Sequence, residues 1–205
     1  MDLPAATGYS NPAMLRRLYD RTMEIAGHRH ATVGLAAVSF AESSIFPIPP
    51  DILLIPMVLA RRERAWWYAG IATLASVAGG FAGYLIGWLL FETLAQPIID
   101  LYGYGPAFAS FAERYNEWGA WIVLFAGVTP FPYKVITIAS GATGLPLPVF
   151  MAASVLARGL RFFCVAALLY FVGPPVRAFI EKRLGLVFTV FVVLLVGGFA
   201  AVKYL

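Results

Sequence analysis

Residues 40–51 read Phe40-Ala41-Glu42-Ser43-Ser44-Ile45-Phe46-Pro47-Ile48-Pro49-Pro50-Asp51. Two carboxylates stand here in an otherwise apolar run. Residues 31–41 carry no charge before Glu42. Eight uncharged residues then lead to Asp51, and nine more reach Ala60. No single piece attains the roughly 20 residues that a spanning helix needs. Three prolines in four positions (Pro47, Pro49 and Pro50) break any helix there. The simplest shape is a re-entrant hairpin over 31–60: a short helix in, a proline-rich tip, and a short helix back. Broken backbone at membrane depth persists only where it is buried in protein or lines a wet cavity.

The rest of the chain supplies that membrane context. Of 205 residues, 60% are hydrophobic and 13% charged, against roughly 25% charged in a soluble domain. Mean hydropathy is +0.78. So much apolar surface excludes a soluble enzyme, a disordered chain and a disulfide-stapled secreted domain. The net charge of +4 reads as basic loops retained in the cytoplasm, not as nucleic-acid binding. Cys164 is the sole cysteine. It excludes an internal disulfide and a cysteine metal cluster, and is expected as a small packing residue. The first apolar run begins at Ala31, after a mixed-charge segment, so no secretory signal is expected.

Outward from the hairpin, residues 1–30 form a polar N-terminal segment. Asn11-Pro12 resembles an N-cap with proline at the first helical position. The apolar positions after it suit an amphipathic helix, either lying on the membrane surface or ordinary and solvated. Arg61, Arg62, Glu63 and Arg64 make a charged break, and 65–91 then runs without a charge as a spanning helix. Residues 92–117 carry Glu92, Asp100, Glu113, Arg114 and Glu117, and Pro106 is expected to open a short interfacial helix there. A second hairpin over 118–148 surrounds Thr129-Pro130-Phe131-Pro132-Tyr133-Lys134. A spanning helix over 149–176 follows. The segment 177–205 is a basic loop and a C-terminal transmembrane helix. The breaks at 61–64 and 177–183 are basic and 92–117 is acidic, so the first two are expected in the cytoplasm and the third outside.

A shift of 83 residues lays Pro47-Ile48-Pro49 on Pro130-Phe131-Pro132, and Asp51 on Lys134. Each half is a hairpin followed by a spanning helix, and one crossing between them inverts the second. Inverted repeats with broken helices are a signature of secondary transporters. The expected fold is therefore an all-α polytopic membrane protein of two inverted repeats with a C-terminal transmembrane helix.

Glu42, Asp51, Lys134, Arg158 and Arg161 are ionisable and lie in apolar surroundings. Each costs about 2.5–3.5 kcal/mol at the bilayer centre, roughly 12–18 kcal/mol together. Pairing around a shared cavity relieves much of that. Burial in a low dielectric favours the neutral form of a carboxylate, which suits proton exchange at Glu42 or Asp51. Lys134, Arg158 and Arg161 suit an anionic group such as phosphate. The competing reading is that the five only satisfy one another, or snorkel to headgroups, Arg158 first among them. Pro47, Pro49, Pro50, Pro130 and Pro132 read as hairpin tips. Ala75, Gly79, Gly83 and Gly87 recur every four residues and read as a helix-packing face. His28 and His30 are the only histidines and precede the membrane region. No metal site, cofactor or nucleophile–base pair is expected, and no enzyme.

These strings together resemble the DedA family, also called the VTT or SNARE-associated membrane domain. The match runs over roughly residues 31–175. The second hairpin has the form seen in the YqaA-like branch, and the Gly-rich helix and Arg158-Gly159-Leu160-Arg161 fit as well. The resemblance implies two facing re-entrant hairpins in the bacterial inner membrane. It also implies movement of undecaprenyl phosphate or phospholipid between leaflets by a flippase or scramblase, dependent on the proton motive force. It carries the acids to Glu42 and Asp51, and the second-hairpin base to Lys134. Many relatives hold two arginines around the second hairpin's proline; here Val128 or Thr129 and Lys134 stand there. Lysine lacks the guanidinium fork that grips phosphate bidentately, and Arg158 and Arg161 are expected to supply it. The partners expected are membrane lipids and protons, with a homo-oligomer left open and no nucleic acid. A proton-coupled carrier of a small anion, and a structural or assembly role without transport, are the competing readings.

Overall fold

The computed structural model describes residues 30–182, with the exception of Pro47 and Pro130, and side chains as far as Gly173. The N-terminal segment and the C-terminal transmembrane helix lie outside the described residues, as do two of the tip prolines. What is described is all-helical. Helix α1 spans Ala31–Ser44 and α2 spans Asp51–Ala60. A 3-10 turn, Arg62–Arg64, leads into α3, Ala65–Leu90. Helix α4, Gln96–Leu101, precedes α5, Gly105–Val128. Helix α6 covers Tyr133–Ala142 and α7 covers Leu147–Lys182. Two helical stretches, Arg62–Leu101 and Leu147–Gly173, each contain an 18-residue window long and apolar enough to cross a bilayer, with mean hydropathies of 1.7 and 1.9.

Helix limits follow backbone breakers, not charges. Glu92 ends the uncharged run but not the helix: a π-turn over Phe91–Ala95 joins α3 to α4. Pro97 lies in the first turn of α4, where its lack of an N–H is tolerated. The path turns only at Gly103, whose φ is 71°. There Tyr104 N–H donates to the Ile99 carbonyl and Gly103 N–H to that of Asp100, a left-handed glycine cap. Gly144 closes α6 in the same way, with φ 68°. The short interfacial helix expected after Pro106 is not a separate element. Nothing between Pro106 and Thr129 breaks the backbone, so the chain runs as one 24-residue helix through Glu113, Arg114 and Glu117. Pro174 and Pro175 likewise do not end α7. Proline has no N–H for the carbonyl four residues back. Tyr170's carbonyl instead accepts from the Arg62 guanidinium, which lies over the Tyr170 ring.

Helices α3 and α7 run antiparallel. Trp66 stacks on Phe163, Ser76 meets Arg158, and Tyr84 packs on Phe150. Two apolar cores form along this pair. One joins Leu35, Leu54 and Met57 to Tyr68 at the start of α3 and Phe162 near the middle of α7. The other joins Val123, Tyr133 and Ile136 to Tyr84 near the end of α3 and Phe150 near the start of α7. The two cores thus lie at successive levels along the same two helices, one for each broken segment, and a polar layer lies between them. Cys164, expected in packing, faces outward.

Close approach to α3 depends on its glycines. A Cβ on Gly79 would collide with the Phe40 carbonyl of α1, and one on Gly87 with the Ile138 carbonyl of α6. Gly83 meets both Thr137 and the Ser43 carbonyl. Small residues let helix backbones touch where no hydrophobic force drives association in lipid.

Candidate functional site

The polar layer is built from the ends of short helices. Helix α1 stops just after Glu42-Ser43-Ser44, and the Ser44 hydroxyl donates back to the Phe40 carbonyl at 2.9 Å. Pro50, with φ −61°, presets the start of α2, so Asp51 occupies its first turn. Pro132 does the same for α6, so Tyr133 and Lys134 begin that helix. The first N–H groups of a helix have no partner inside it and carry partial positive charge.

Glu42 is buried at the centre. Its Oε2 accepts from the Arg158 guanidinium at 2.7 Å and from the Ser43 hydroxyl at 3.1 Å. Its Oε1 accepts the Tyr133 backbone N–H at 3.3 Å. One carboxylate therefore ties α1 to α7 and to the start of α6. Arg158 is fully buried. Its Nε donates to Ser76 Oγ at 2.6 Å, and Ser76 shares a 2.7 Å hydrogen bond with Ser43. The guanidinium lies 4.9 Å from the Tyr133 ring centroid and 4.7 Å from that of Phe162, within cation–π range. The Tyr133 hydroxyl donates to Ser154 Oγ at 2.7 Å. Arg158 is thus enclosed by protein on every side. It reaches from α7 to where Gly79 and Gly83 let α1 approach α3 closely.

Arg161, one turn further along the same face of α7, forms the second ion pair, with Asp51. Its other terminal nitrogen donates to the Thr129 carbonyl at the tip of the second broken segment. Lys134 Nζ reaches the opposite way, to the Ile45 carbonyl at 3.1 Å. Thr137 Oγ1 donates to the Ser43 carbonyl at 3.0 Å. All five ionisable residues singled out in the sequence therefore meet where the two tips face each other. Asp51, Lys134 and Arg161 are partly exposed, whereas Glu42 and Arg158 are enclosed. Asp51 Oδ1 and Arg158 Nη1 are buried without a hydrogen-bond partner among the described residues. The outer pair and Lys134 thus keep some contact with the surroundings of the protein, while the inner pair is closed off by the packed helices.

The residue pattern missed Ser76, Tyr133 and Ser154. A signal existed for the first: Thr73 and Ser76 are the only hydroxyl residues in the uncharged run 65–91, apart from Tyr68 and Tyr84. A polar side chain inside a spanning helix needs a partner.

The family model for the VTT domain matches residues 48–171, which takes in Asp51, Lys134, Arg158 and Arg161. The chain belongs to the VTT-domain, or DedA, family. It is similar to an uncharacterized protein of Haemophilus influenzae, 35% identical over 91% of this chain and 96% of that one. An uncharacterized membrane protein of Mycobacterium bovis is 26% identical over 72% of each chain. An uncharacterized protein of Methanocaldococcus jannaschii is 26% identical over 62% of this chain and 77% of its own. No solved structure matches. Membership of this membrane-protein family agrees with the two apolar helices that flank the VTT site.

Proposed function

We propose that this VTT protein moves an anionic lipid headgroup between the leaflets of the bacterial inner membrane, with Glu42 or Asp51 exchanging a proton during the cycle. The observation that carries the reading is the meeting of two ion pairs, Glu42–Arg158 and Asp51–Arg161, at the junction of both broken segments. A phosphate that takes Arg161 releases Asp51, and the released carboxylate then gains a proton to stay neutral in the bilayer. Lys134 and Arg161 grip the phosphate, Arg161 through its guanidinium fork.

The two broken segments are then re-entrant hairpins of two inverted repeats. Three features support this: the antiparallel α3–α7 pair, the division of the apolar core between two levels along it, and the equal ten-residue lengths of α2 and α6. Segments 61–64 and 177–183 face the cytoplasm and 92–117 faces outward.

The test is leaflet exchange of a labelled anionic lipid, undecaprenyl phosphate or phosphatidylglycerol, in vesicles holding the purified protein, with and without a pH gradient. Exchange that requires the protein, and that Asp51→Asn and Lys134→Ala abolish while remaining folded, is the expected result. No exchange of either lipid would overturn the reading and favour a carrier of small anions. The enclosure of Arg158 favours a second, structural role for the inner pair. In that case Glu42→Gln lowers stability and activity together, whereas Asp51→Asn lowers activity alone.

A further inference from the structure

Helix α5 carries an unusual face. Phe111, Trp118, Trp121 and Phe125 are all more than half exposed, and together with Arg114 and Thr129 they line an open groove of about 870 Å³ along α5 and the start of the second tip. That volume lies in the upper part of the range of ligand pockets, about 300–1,000 Å³. At about 1.5 Å per residue, Arg114 and Thr129 lie about 22 Å apart along the helix. One leaflet's share of a 30 Å hydrocarbon core is about 15 Å. The groove is therefore longer than one leaflet's hydrocarbon is deep, so a headgroup at Arg114 leaves room for its chain to reach the level of Thr129.

Its ends differ in chemistry. Arg114 is the one charged side chain in the lining. It is exposed and forms no ion pair with a described residue, although Glu113 and Glu117 neighbour it on α5. Those two acids lie outside the groove lining. The deep end is Thr129, whose carbonyl accepts from Arg161 of the outer pair. The groove thus offers a cation at one interface, an aromatic wall for a hydrocarbon chain, and a second cation where the wall ends.

We infer that this groove docks a single lipid of the outer leaflet. Its anionic headgroup rests on Arg114, its chain lies along Trp118, Trp121 and Phe125, and its path leads to Arg161. The inference rests on the lipid-transport reading, and it assigns that reading a point of access. The complementarity is electrostatic: Arg114 is the lone base of an acidic segment, and it lines this apolar trough of α5 but not the second one, which Ala120, Trp121 and Leu124 share with α7. A zwitterionic lipid finds the same wall but no net attraction at its head.

The experiment uses the full chain with Trp66, Trp67 and Trp88 replaced by Phe, which leaves Trp118 and Trp121 as the only tryptophans. It is reconstituted in phosphatidylcholine vesicles containing tail-brominated phosphatidylglycerol or, at the same mole fraction, tail-brominated phosphatidylcholine. Bromine quenches tryptophan on contact. Brominated phosphatidylglycerol should associate about fivefold more strongly, as one basic residue near the surface provides. Added salt should erode the difference. Arg114→Gln should abolish it and Arg114→Lys should retain it. The salt arm needs no variant, so a misfolded Arg114→Gln leaves the inference testable. Equal quenching by the two lipids would overturn it, because the face would then only be wetted by bulk bilayer. Weak quenching by both would overturn it too, with residues 184–202 or a second copy covering the groove. Asp51→Asn should stop leaflet exchange and leave the lipid preference intact. A preference without exchange in the unsubstituted protein would keep the groove and sink transport. Exchange without a preference would do the reverse.

Discussion

Arg158 has the largest fully buried side chain among the described residues, and one carboxylate matches its charge. Burying two ions costs several kcal/mol each, which their attraction offsets only with good geometry and further hydrogen bonds. Here Ser43, Ser76 and the Tyr133 N–H supply those bonds, and two rings sandwich the guanidinium. Removing one member leaves the other charged and unpaired. Arg158→Met should therefore cost about 3–5 kcal/mol in thermal or denaturant unfolding in detergent. The double variant Glu42→Met/Arg158→Met should recover most of that loss. If the double variant is as unstable as the single, the pair is not the source of the cost. Arg161→Gln, at a partly exposed pair, should destabilise less and act chiefly on transport.

At the scale of elements, glycine spacing and proline position set what the helices can do. Gly79 and Gly87 touch carbonyls of α1 and α6, while a Cβ on Gly70 of the same helix meets nothing within 4 Å. Gly79→Leu and Gly87→Leu should separate α3 from the broken segments and abolish a monodisperse species in size-exclusion chromatography. Gly70→Ala should be neutral, or stabilising by up to about 1 kcal/mol, since alanine is the better helix former. A second device joins the charged turn to α7. Arg62 occupies the Tyr170 carbonyl that Pro174 cannot serve. Pro174→Ala restores the missing donor, so Arg62→Ala should cost less in that background. A double-mutant cycle on the melting temperature with no coupling between the two sites would refute the link.

For the molecule as a whole, the antiparallel α3–α7 pair fixes the relation between the ends of the two long helices. Charge asymmetry adds the direction. In a Cys164→Ser background, Glu63→Cys and Tyr104→Cys should differ in reaction with an impermeant thiol reagent on intact cells. Position 104 should label and position 63 should label only after permeabilisation. Labelling of both from outside would refute the proposed orientation.

The amino-acid sequence alone determined that the chain is an α-helical membrane protein of the VTT family. It located breaks at 45–50 and 129–132, because proline placement and uncharged length act locally and need no partner to be read. It also marked Glu42, Asp51, Lys134, Arg158 and Arg161, because an ionisable group is costly in hydrocarbon wherever it points. The pairing was beyond it. That Arg158 serves Glu42 and Arg161 serves Asp51 depends on the α3–α7 register and on how far Gly79, Gly83 and Gly87 let α1 and α6 approach. Charge also misled the placement of helix ends. Glu92, Glu113 and Glu117 interrupt hydropathy but leave backbone hydrogen bonding intact, so α3 continues into α4, and α5 passes through the acidic segment unbroken. Burial of Arg158 and exposure of the α5 aromatic groove arise between elements distant in sequence, which is why only the tertiary structure decided them.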